Sequence, residues 1–174
     1  MKKILVVIDP QNDFISGAMK NINGENVLNG IIEEMKKEEY SDIFISKDCH
    51  YEDHYKEFIE GQKQPILHCD MYSKGWNFPD EMKSVINEVI DKTHKIEKGQ
   101  FGYTFWDLDI PEDTDEICIC GYMLETNILS NAIILRSMFP NVKISILTDI
   151  ATGINPKEIT DSLLVMKNCL IDIL

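Results

Sequence analysis

Two histidines and two carboxylates in the first half of the chain are of the types that bind metal ions. Asp48 and His50 follow a predicted strand directly, and in an extended segment residues two apart point to the same side. Glu60 and His68 come shortly after them. Imidazole nitrogens and carboxylate oxygens together suit divalent transition metals. The pattern indicates a mixed nitrogen and oxygen metal site, and scattered surface polarity is the alternative.

A second pair, Asp9 and Lys98, is suited to acid–base chemistry. Asp9 follows the apolar run Lys3–Ile8, and Lys98 comes between a short strand candidate and Gly99. A carboxylate can act as a general base, and an ammonium group beside it could stabilise developing negative charge. The plainer interpretations are an aspartate that caps a turn and a solvated lysine. These two stretches alone leave both interpretations open.

The segment Glu116–Arg136 has the pattern of a buried strand, a turn at Gly121 and a helix. A helix start offers unpaired N–H groups and a positive dipole end, which favour an anionic nucleophile or an oxyanion. The first turn holds Glu125, Thr126 and Asn127, and it contains neither cysteine nor serine. The position that best suits a nucleophile therefore lacks one.

Strand-like and helix-like segments alternate along the chain, which predicts a parallel sheet with helices on both faces. The predicted strands are Lys3–Ile8, Tyr40–Ser46, Thr93–Glu97, Ile117–Cys120, Lys143–Leu147 and Leu170–Leu174. The predicted helices are Asn26–Glu39, Asp80–Ile90, one after Gly121, and Pro156–Asn168. We predict an α/β fold: a single domain over residues 1–174, with three α/β/α layers around a mainly parallel central sheet. The carboxyl ends of its strands should bring four residues to one edge: Asp9, Asp48, Lys98 and Asn127.

Composition excludes several classes of partner. The 174 residues carry a net charge of −13, which argues against nucleic-acid binding and against anionic membrane surfaces. No apolar run is long enough for a membrane span. The five cysteines are odd in number and scattered, and no apolar leader precedes the first strand. A cytoplasmic, reducing location is the resulting expectation.

Six motifs resemble those of the isochorismatase-like cysteine hydrolases, the superfamily that includes nicotinamidases. They are DPQNDF at Asp9–Phe14, DCH at Asp48–His50, EGQKQPILHC at Glu60–Cys69, SKGW at Ser73–Trp76, KGQFGYT at Lys98–Thr104 and GYMLETNILSNAIILR from Gly121. Each motif alone is weak, but six in the correct order at predicted strand ends make a specific match over essentially the whole chain. The resemblance implies the isochorismatase-like hydrolase fold.

The resemblance also implies roles for individual residues. Asp9 would be the general base, with Lys98 stabilising charge beside it. The metal ligands of the nicotinamidase branch match Asp48, His50 and His68 in this chain. The implied cofactor is a divalent metal, zinc first, with iron or manganese as alternatives.

Further residues follow from the same resemblance. Glu60 would be an outer or fourth metal ligand. Phe14, Trp76 and Tyr103 would form aromatic walls around a flat substrate ring, whose pyridine nitrogen the metal orients.

One position departs from the family pattern. The family has a cysteine at the start of the helix, which attacks an amide carbonyl to form a thioester. Gly121 and Ser130 fix the alignment on either side, and Asn127 occupies the nucleophile position. Asn127 could be a helix N-cap, an amide that holds a ligand carbonyl, or the product of a deliberate Cys→Asn change.

The resulting expectation is an amidohydrolase of nicotinamidase type for a small aromatic carboxamide, impaired because Asn127 replaces the nucleophile. The alternatives are an inactive small-molecule-binding protein with the same fold, or a hydrolase without a cysteine nucleophile, either of isochorismatase type or with a water activated by metal. The resemblance also implies a homo-oligomer.

Overall fold

A computed structural model describes all 174 residues, and its centre is a sheet of six parallel strands. The strand order is β3-β2-β1-β4-β5-β6. The strands are β1 (Lys3–Ile8), β2 (Tyr40–Asp48), β3 (Thr93–Lys98), β4 (Glu116–Gly121), β5 (Lys143–Ala151) and β6 (Asp172–Ile173). The predicted α/β class with a parallel sheet is confirmed.

Eight α-helices connect or flank the strands. They are α1 (Asn12–Ile15), α2 (Gly24–Met35), α3 (Glu52–Tyr55), α4 (Ile59–Lys63), α5 (Asp80–Glu88), α6 (Trp106–Asp109), α7 (Leu129–Met138) and α8 (Pro156–Asn168). A 3-10 turn covers Ile90–Lys92, and a π-helical turn covers Leu124–Ile128. None of these helices has the length and hydrophobicity that crossing a membrane requires.

Both faces of the sheet are buried, which explains why β1 is a continuous apolar run. Leu5 and Val7 belong to a core of 21 buried residues on one face, whereas Ile4, Val6 and Ile8 belong to a core of 18 on the other. Burial of each such aliphatic side chain contributes roughly 1.5–3 kcal/mol. A polar residue at any of these positions would remove the burial energy of one aliphatic side chain from the core on its face of the sheet.

The chain reverses direction across the sheet at β1, which has β2 on one side and β4 on the other. Open α/β sheets bind ligands at such a switch point, beside the carboxyl ends of the strands. Asp9 follows β1 directly, while Asp48 and Lys98 are the last, mutually paired residues of β2 and β3. Both strands run beyond their predicted ends, so the two side chains are fixed by the sheet and not by loops.

The strand β4 is followed by a π-helical turn and not by the continuous helix that the apolar spacing predicts. The turn ends at Ile128, and α7 begins at Leu129. Asn127 lies inside the turn and makes no side-chain capping bond, so its interpretation as a helix N-cap is wrong. Gly121 joins strand to turn with φ of 118°, and a side chain there would collide with the backbone of Ile8.

Candidate active site and metal centre

A buried acid–amine corner, formed by Asp9, Lys98 and Asn127, lies at the switch point. The Lys98 Nζ is 2.7 Å from Asp9 Oδ2, and the two side chains are 2% and 0% exposed. Lys98 also donates to the carbonyl of Gln100 at 3.0 Å. Asp9 has φ of 48°, a left-handed conformation that costs about 1–3 kcal/mol and turns the residue out of the strand direction.

Three donors converge on the Asp9 carboxylate. Ser46 donates to Oδ1 at 2.7 Å, while Lys98 and the Asn127 side-chain amide both donate to Oδ2, the amide at 2.6 Å. Thr126 in turn donates to Asn127 Oδ1 at 3.0 Å. Both carboxylate oxygens of Asp9, and the side-chain nitrogen and oxygen of Asn127, therefore have hydrogen-bond partners within the protein.

Burial dominates the electrostatics of this corner. Burial raises the pKa of Asp9, and the positive charge of Lys98 opposes that rise. Burial disfavours the charged form of Lys98, but the carboxylates of Asp9 and Asp48 outweigh it and raise the Lys98 pKa above its ordinary value. Lys98 is therefore a permanent cation shared between two carboxylates, the second of them 3.7 Å away.

The second group, the histidine corner, consists of Asp48, His50 and His68. Asp48 Oδ2 lies 3.4 Å from His50 Nε2 and 3.7 Å from His68 Nε2. The three side chains are buried, and their ligand atoms lie within 4.8 Å of one another. Glu60 Oε1 is close to the group, at 3.8 and 3.7 Å from the two Nε2 atoms.

The histidine corner fits a divalent cation. His50 Nε2 is buried and has no hydrogen-bond partner, a costly state unless something binds it. His68 Nδ1 lies 3.0 Å from the carbonyl of Ile66, to which it can donate, and this leaves its Nε2 free to face Asp48. Two imidazole nitrogens and one carboxylate oxygen form a common zinc donor set.

The titration properties of the corner follow from the same contacts. Burial opposes ionisation of Asp48, but the positive charge of Lys98 and the proximity of the His50 and His68 imidazoles hold the pKa of that carboxyl well below its usual range. Burial lowers the pKa of His68, but its bond to Asp48 outweighs this and leaves the pKa above 6.5. Without metal, a proton is the competing occupant of this corner.

Two polar residues that sequence reasoning missed hold the histidine corner in place. Gln11, fully buried, donates to the carbonyl of Asp48 at 2.8 Å and accepts from its N–H at 2.7 Å. Asp13 accepts from the backbone N–H of Cys69 at 2.7 Å and so fixes the residue after His68. Both residues lie in the Asp9–Phe14 motif, but nothing in the sequence shows where their side chains reach.

A cavity of about 390 Å³ adjoins both corners, within the roughly 300–1,000 Å³ of small-molecule sites. His68 and Asn127 line it, so each corner presents a side chain to the cavity. The remaining lining residues are Phe14, Met19, Glu60, Gln64, Phe101, Met123, Glu125, Thr126, Ile154, Asn155 and Glu158. The mixture of aromatic, thioether and polar groups suits a small flat ligand.

Of the three aromatic residues assigned to the cavity from the sequence, the structure places Phe14 in its wall and the other two outside it. Trp76 donates from Nε1 to Cys49 Sγ at 3.1 Å and covers the Lys47 ammonium. Tyr103 donates to Asp109 at 2.7 Å and packs on Trp106. Neither residue is among those that line the cavity.

Phe101 supplies the second aromatic wall, and its loop is held by Asn131. The Asn131 side chain, fully buried, donates to the carbonyls of Phe101 and Asn127 at 3.1 and 2.7 Å. It also accepts from the N–H of Tyr103 at 2.9 Å. The loop that follows β3 is thereby tied to the turn that carries Asn127.

Comparison with known proteins gives matches at the level of structure alone. No family model matches the chain, and no curated protein matches its sequence. The nicotinamidase/pyrazinamidase of Bacillus subtilis superposes with a TM-score of 0.86 at 19% identity, covering 99% of each chain. Yeast nicotinamidase bound to the inhibitor nicotinaldehyde gives 0.82 at 21% identity, also over 99% of each chain.

A third structure, the pyrazinamidase of Pyrococcus horikoshii in complex with zinc, gives a TM-score of 0.76 at 21% identity over 100% of this chain and 99% of that one. The three solved proteins come from distant sources, yet each aligns over nearly its full length with this chain. The chain therefore has the α/β fold of the nicotinamidases and pyrazinamidases.

Proposed function

We propose that this protein binds a divalent metal, zinc in the first instance, and a small aromatic carboxamide in the adjoining cavity, at a site of nicotinamidase type that lacks the cysteine route of hydrolysis. Three features support the proposal: the fold, the fit of the histidine corner to a metal, and the cavity that both corners line.

The proposed loss of the cysteine route depends on one contact: the Asn127 side-chain amide donates a hydrogen bond to Asp9 Oδ2 at 2.6 Å. A general base activates a nucleophile by accepting its proton. A carboxamide has no acidic proton to give and is a poor nucleophile. Asp9 is thus bonded to a group that it cannot activate, and a thioester has no sulfur from which to form.

Four of the five cysteines are poorly suited to replace the missing nucleophile. All five cysteines are free. Burial raises the pKa of Cys118 to about 11 and raises the pKa values of Cys69 and Cys120 well above their ordinary range. Burial also raises the pKa of Cys49, whose sulfur accepts from Trp76. The reactive thiolate form is disfavoured at each of these four sites.

Each group has a role in ligand binding. Asp48, His50 and His68 would hold the metal, which supplies a Lewis acid that fixes and polarises a coordinating ligand when bound. Phe14, which packs edge-on against His68 with ring centroids 5.6 Å apart, would cover one face of a flat ring. The side-chain oxygen of Asn127 already accepts a hydrogen bond from Thr126. This bond fixes the amide in the cavity wall, so Asn127 would shape the cavity.

The test is to measure metal content, nicotinamide binding and ammonia release for the purified protein and for Asn127→Cys. We expect about one zinc per chain, calorimetric binding of nicotinamide only after zinc loading, and no ammonia release above the blank. Asn127→Cys should release ammonia because it places a thiol beside Asp9.

Asn127→Ala is the matched control, since it also frees Asp9 but supplies no nucleophile. Ammonia release by the unaltered protein at the rate of Asn127→Cys would overturn the proposed loss of the cysteine route. Absence of bound metal after zinc supplementation would overturn the metal assignment.

Location and assembly belong to the same proposal. A reducing, cytoplasmic setting is consistent with five free cysteines. We keep the expectation of a homo-oligomer, and light scattering after size exclusion measures it directly.

A further inference from the structure

We propose that the cavity selects a small organic cation, such as a heteroaromatic ring that carries an amine, over a neutral amide and above all over a carboxylate. This inference rests on the proposed function and refines it: a flat aromatic carboxamide fits the site, and a ring of the same size with a positive charge should fit it better. It comes from the charges of the residues around the cavity, which motif matching does not use.

The charged residues that line the cavity are all acidic. Glu60, Glu125 and Glu158 contribute carboxylates, whereas no lysine or arginine is among the lining residues. Lys98, the nearest buried cation of the site, is 2% exposed and already engaged by Asp9 and Asp48. An anionic ligand would therefore meet negative charge without a free positive partner.

Glu125 is fixed with one oxygen unused. Its Oε1 accepts from the backbone N–H groups of Ile154 and Asn155 at 2.7 and 3.1 Å. Its Oε2 is buried and has no hydrogen-bond partner. Gly153 permits this position, because a side chain there would collide with the Glu125 carboxylate. Two backbone donors thus hold the Glu125 carboxylate in place beside the cavity, where it contributes a fixed negative charge.

Two further features of the cavity wall act together with these carboxylates. His68, which lines the cavity, places the histidine corner and its proposed metal at one end of it. In the walls, Phe14 and Phe101 offer ring faces, which attract organic cations. The cavity thus has a coordinating end, aromatic walls and an acidic outer part.

A bound divalent metal does not reverse the sign of the site. Lys98 and a divalent ion together carry three positive charges. The two corners and the cavity have five carboxylates, which belong to Asp9, Asp48, Glu60, Glu125 and Glu158. The net charge of −13 on the whole chain acts in the same direction. Two opposite charges near a protein surface attract by several kcal/mol at contact distance, enough to order ligands by charge.

The experiment compares three probes that share one pyridine ring: 3-(aminomethyl)pyridine, nicotinamide and nicotinate, titrated calorimetrically into zinc-loaded protein at pH 7 and low salt. We expect the amine to bind tightest and nicotinate weakest, with dissociation constants at least about tenfold apart. The ratio of these two dissociation constants should become smaller at high salt, because salt screens the charges.

Glu125→Gln and Glu158→Gln test the source of the preference. Glutamine removes the charge but keeps an acceptor oxygen, which at position 125 accepts from Ile154 and Asn155 and at position 158 accepts from the Asn155 side chain, so folding should be retained. Each variant should reduce the ratio of amine to carboxylate affinity severalfold. Glu81→Gln, on the exposed side of α5 and outside this cavity, should leave the ratio unchanged.

The outcomes separate the two proposals. Nicotinate bound as tightly as the amine would overturn the charge preference while leaving a small-molecule site in place. An unchanged ratio in both glutamine variants would overturn the assignment to Glu125 and Glu158. If none of the three probes binds, the proposed function fails and this inference fails with it.

Discussion

The two corners of the site differ in how completely the protein satisfies them. In the acid–amine corner, every oxygen of Asp9 and each polar atom of the Asn127 amide has a hydrogen-bond partner. In the histidine corner, His50 Nε2 is buried with none. The corners are neighbours, since Lys98 Nζ lies 3.7 Å from Asp48 Oδ1.

This difference separates a structural role from a binding role. A buried polar group with all its bonds made contributes to stability by itself, while one without a partner costs free energy until a ligand or ion arrives. The acid–amine corner should therefore matter most for folding. The histidine corner should matter most for what the protein binds, and the following experiments test that division in order of expected effect.

The largest effect is expected from Lys98→Met. Methionine preserves much of the side-chain length but leaves Asp9 and Asp48 without their shared cation. Removing one partner of a buried ion pair destabilises by about 3–5 kcal/mol. The free energy of unfolding from urea titration at pH 7, with chelator present, measures the loss.

Lys83→Met is the matched control, because Lys83 also pairs with a carboxylate, Asp80, at 2.9 Å, but the two side chains are 49% and 95% exposed. Solvent screens that pair, so the control should change little. Similar losses in both variants would show that burial does not distinguish the acid–amine corner.

Much of the fold that carries these corners could be predicted from the sequence. The strand β1 has the predicted bounds, because a run of buried β-branched residues shows the same pattern in the sequence as in the sheet. The placement of Asp9 and Lys98 at one sheet edge follows from strand polarity alone. The helix α8 also has its predicted bounds, with Pro156 in its first turn and Asn155 accepting from Lys157 as its cap.

The remainder depended on tertiary contacts that leave no local pattern. Leu124 and Ile128 have the spacing of an ordinary helix, yet they belong to a π-helical turn. The bond between Asn127 and Asp9 joins residues 118 positions apart. Trp76 and Phe101 both lie near glycines in aromatic loops, and only their polar contacts decide which one lines the cavity.

The second prediction concerns zinc and its dependence on pH. At a free zinc concentration 100 times the Kd, binding should stabilise the protein by about 2.7 kcal/mol. This increment should grow as pH rises through the pKa of His68, because the metal needs a neutral imidazole. Urea unfolding between pH 5.5 and 8.5, with zinc or with chelator, measures it.

Without metal, the stability that His68 contributes changes with pH in the opposite direction. The pKa of His68 is raised in the folded protein by Asp48, so their pair contributes stability that is fully present below pH 6.5 and is lost as pH rises through the folded value. His50→Ala should abolish the zinc increment, and His54→Ala, an exposed histidine on α3, should retain it. A zinc increment that falls with rising pH would contradict the assignment of His68 as a ligand.

The smallest effect is expected from Glu60→Gln, which tests where the histidine corner ends. Glu60 Oε1 lies 3.8 and 3.7 Å from the two histidine Nε2 atoms, close enough to add negative charge to a bound cation. If Glu60 supports the metal from outside its direct ligands, zinc affinity should fall about tenfold, the lower end of the range for such residues. Competition with a chromophoric chelator gives the zinc affinity. Glu57→Gln is the control, because the Glu57 carboxylate is exposed beside His54.

A thousandfold or greater loss of zinc affinity in Glu60→Gln would make Glu60 a direct ligand, and no loss would restrict it to the wall of the cavity. In that last case the charge preference of the cavity and the metal affinity would vary independently, because Glu60 would then act on the organic ligand alone.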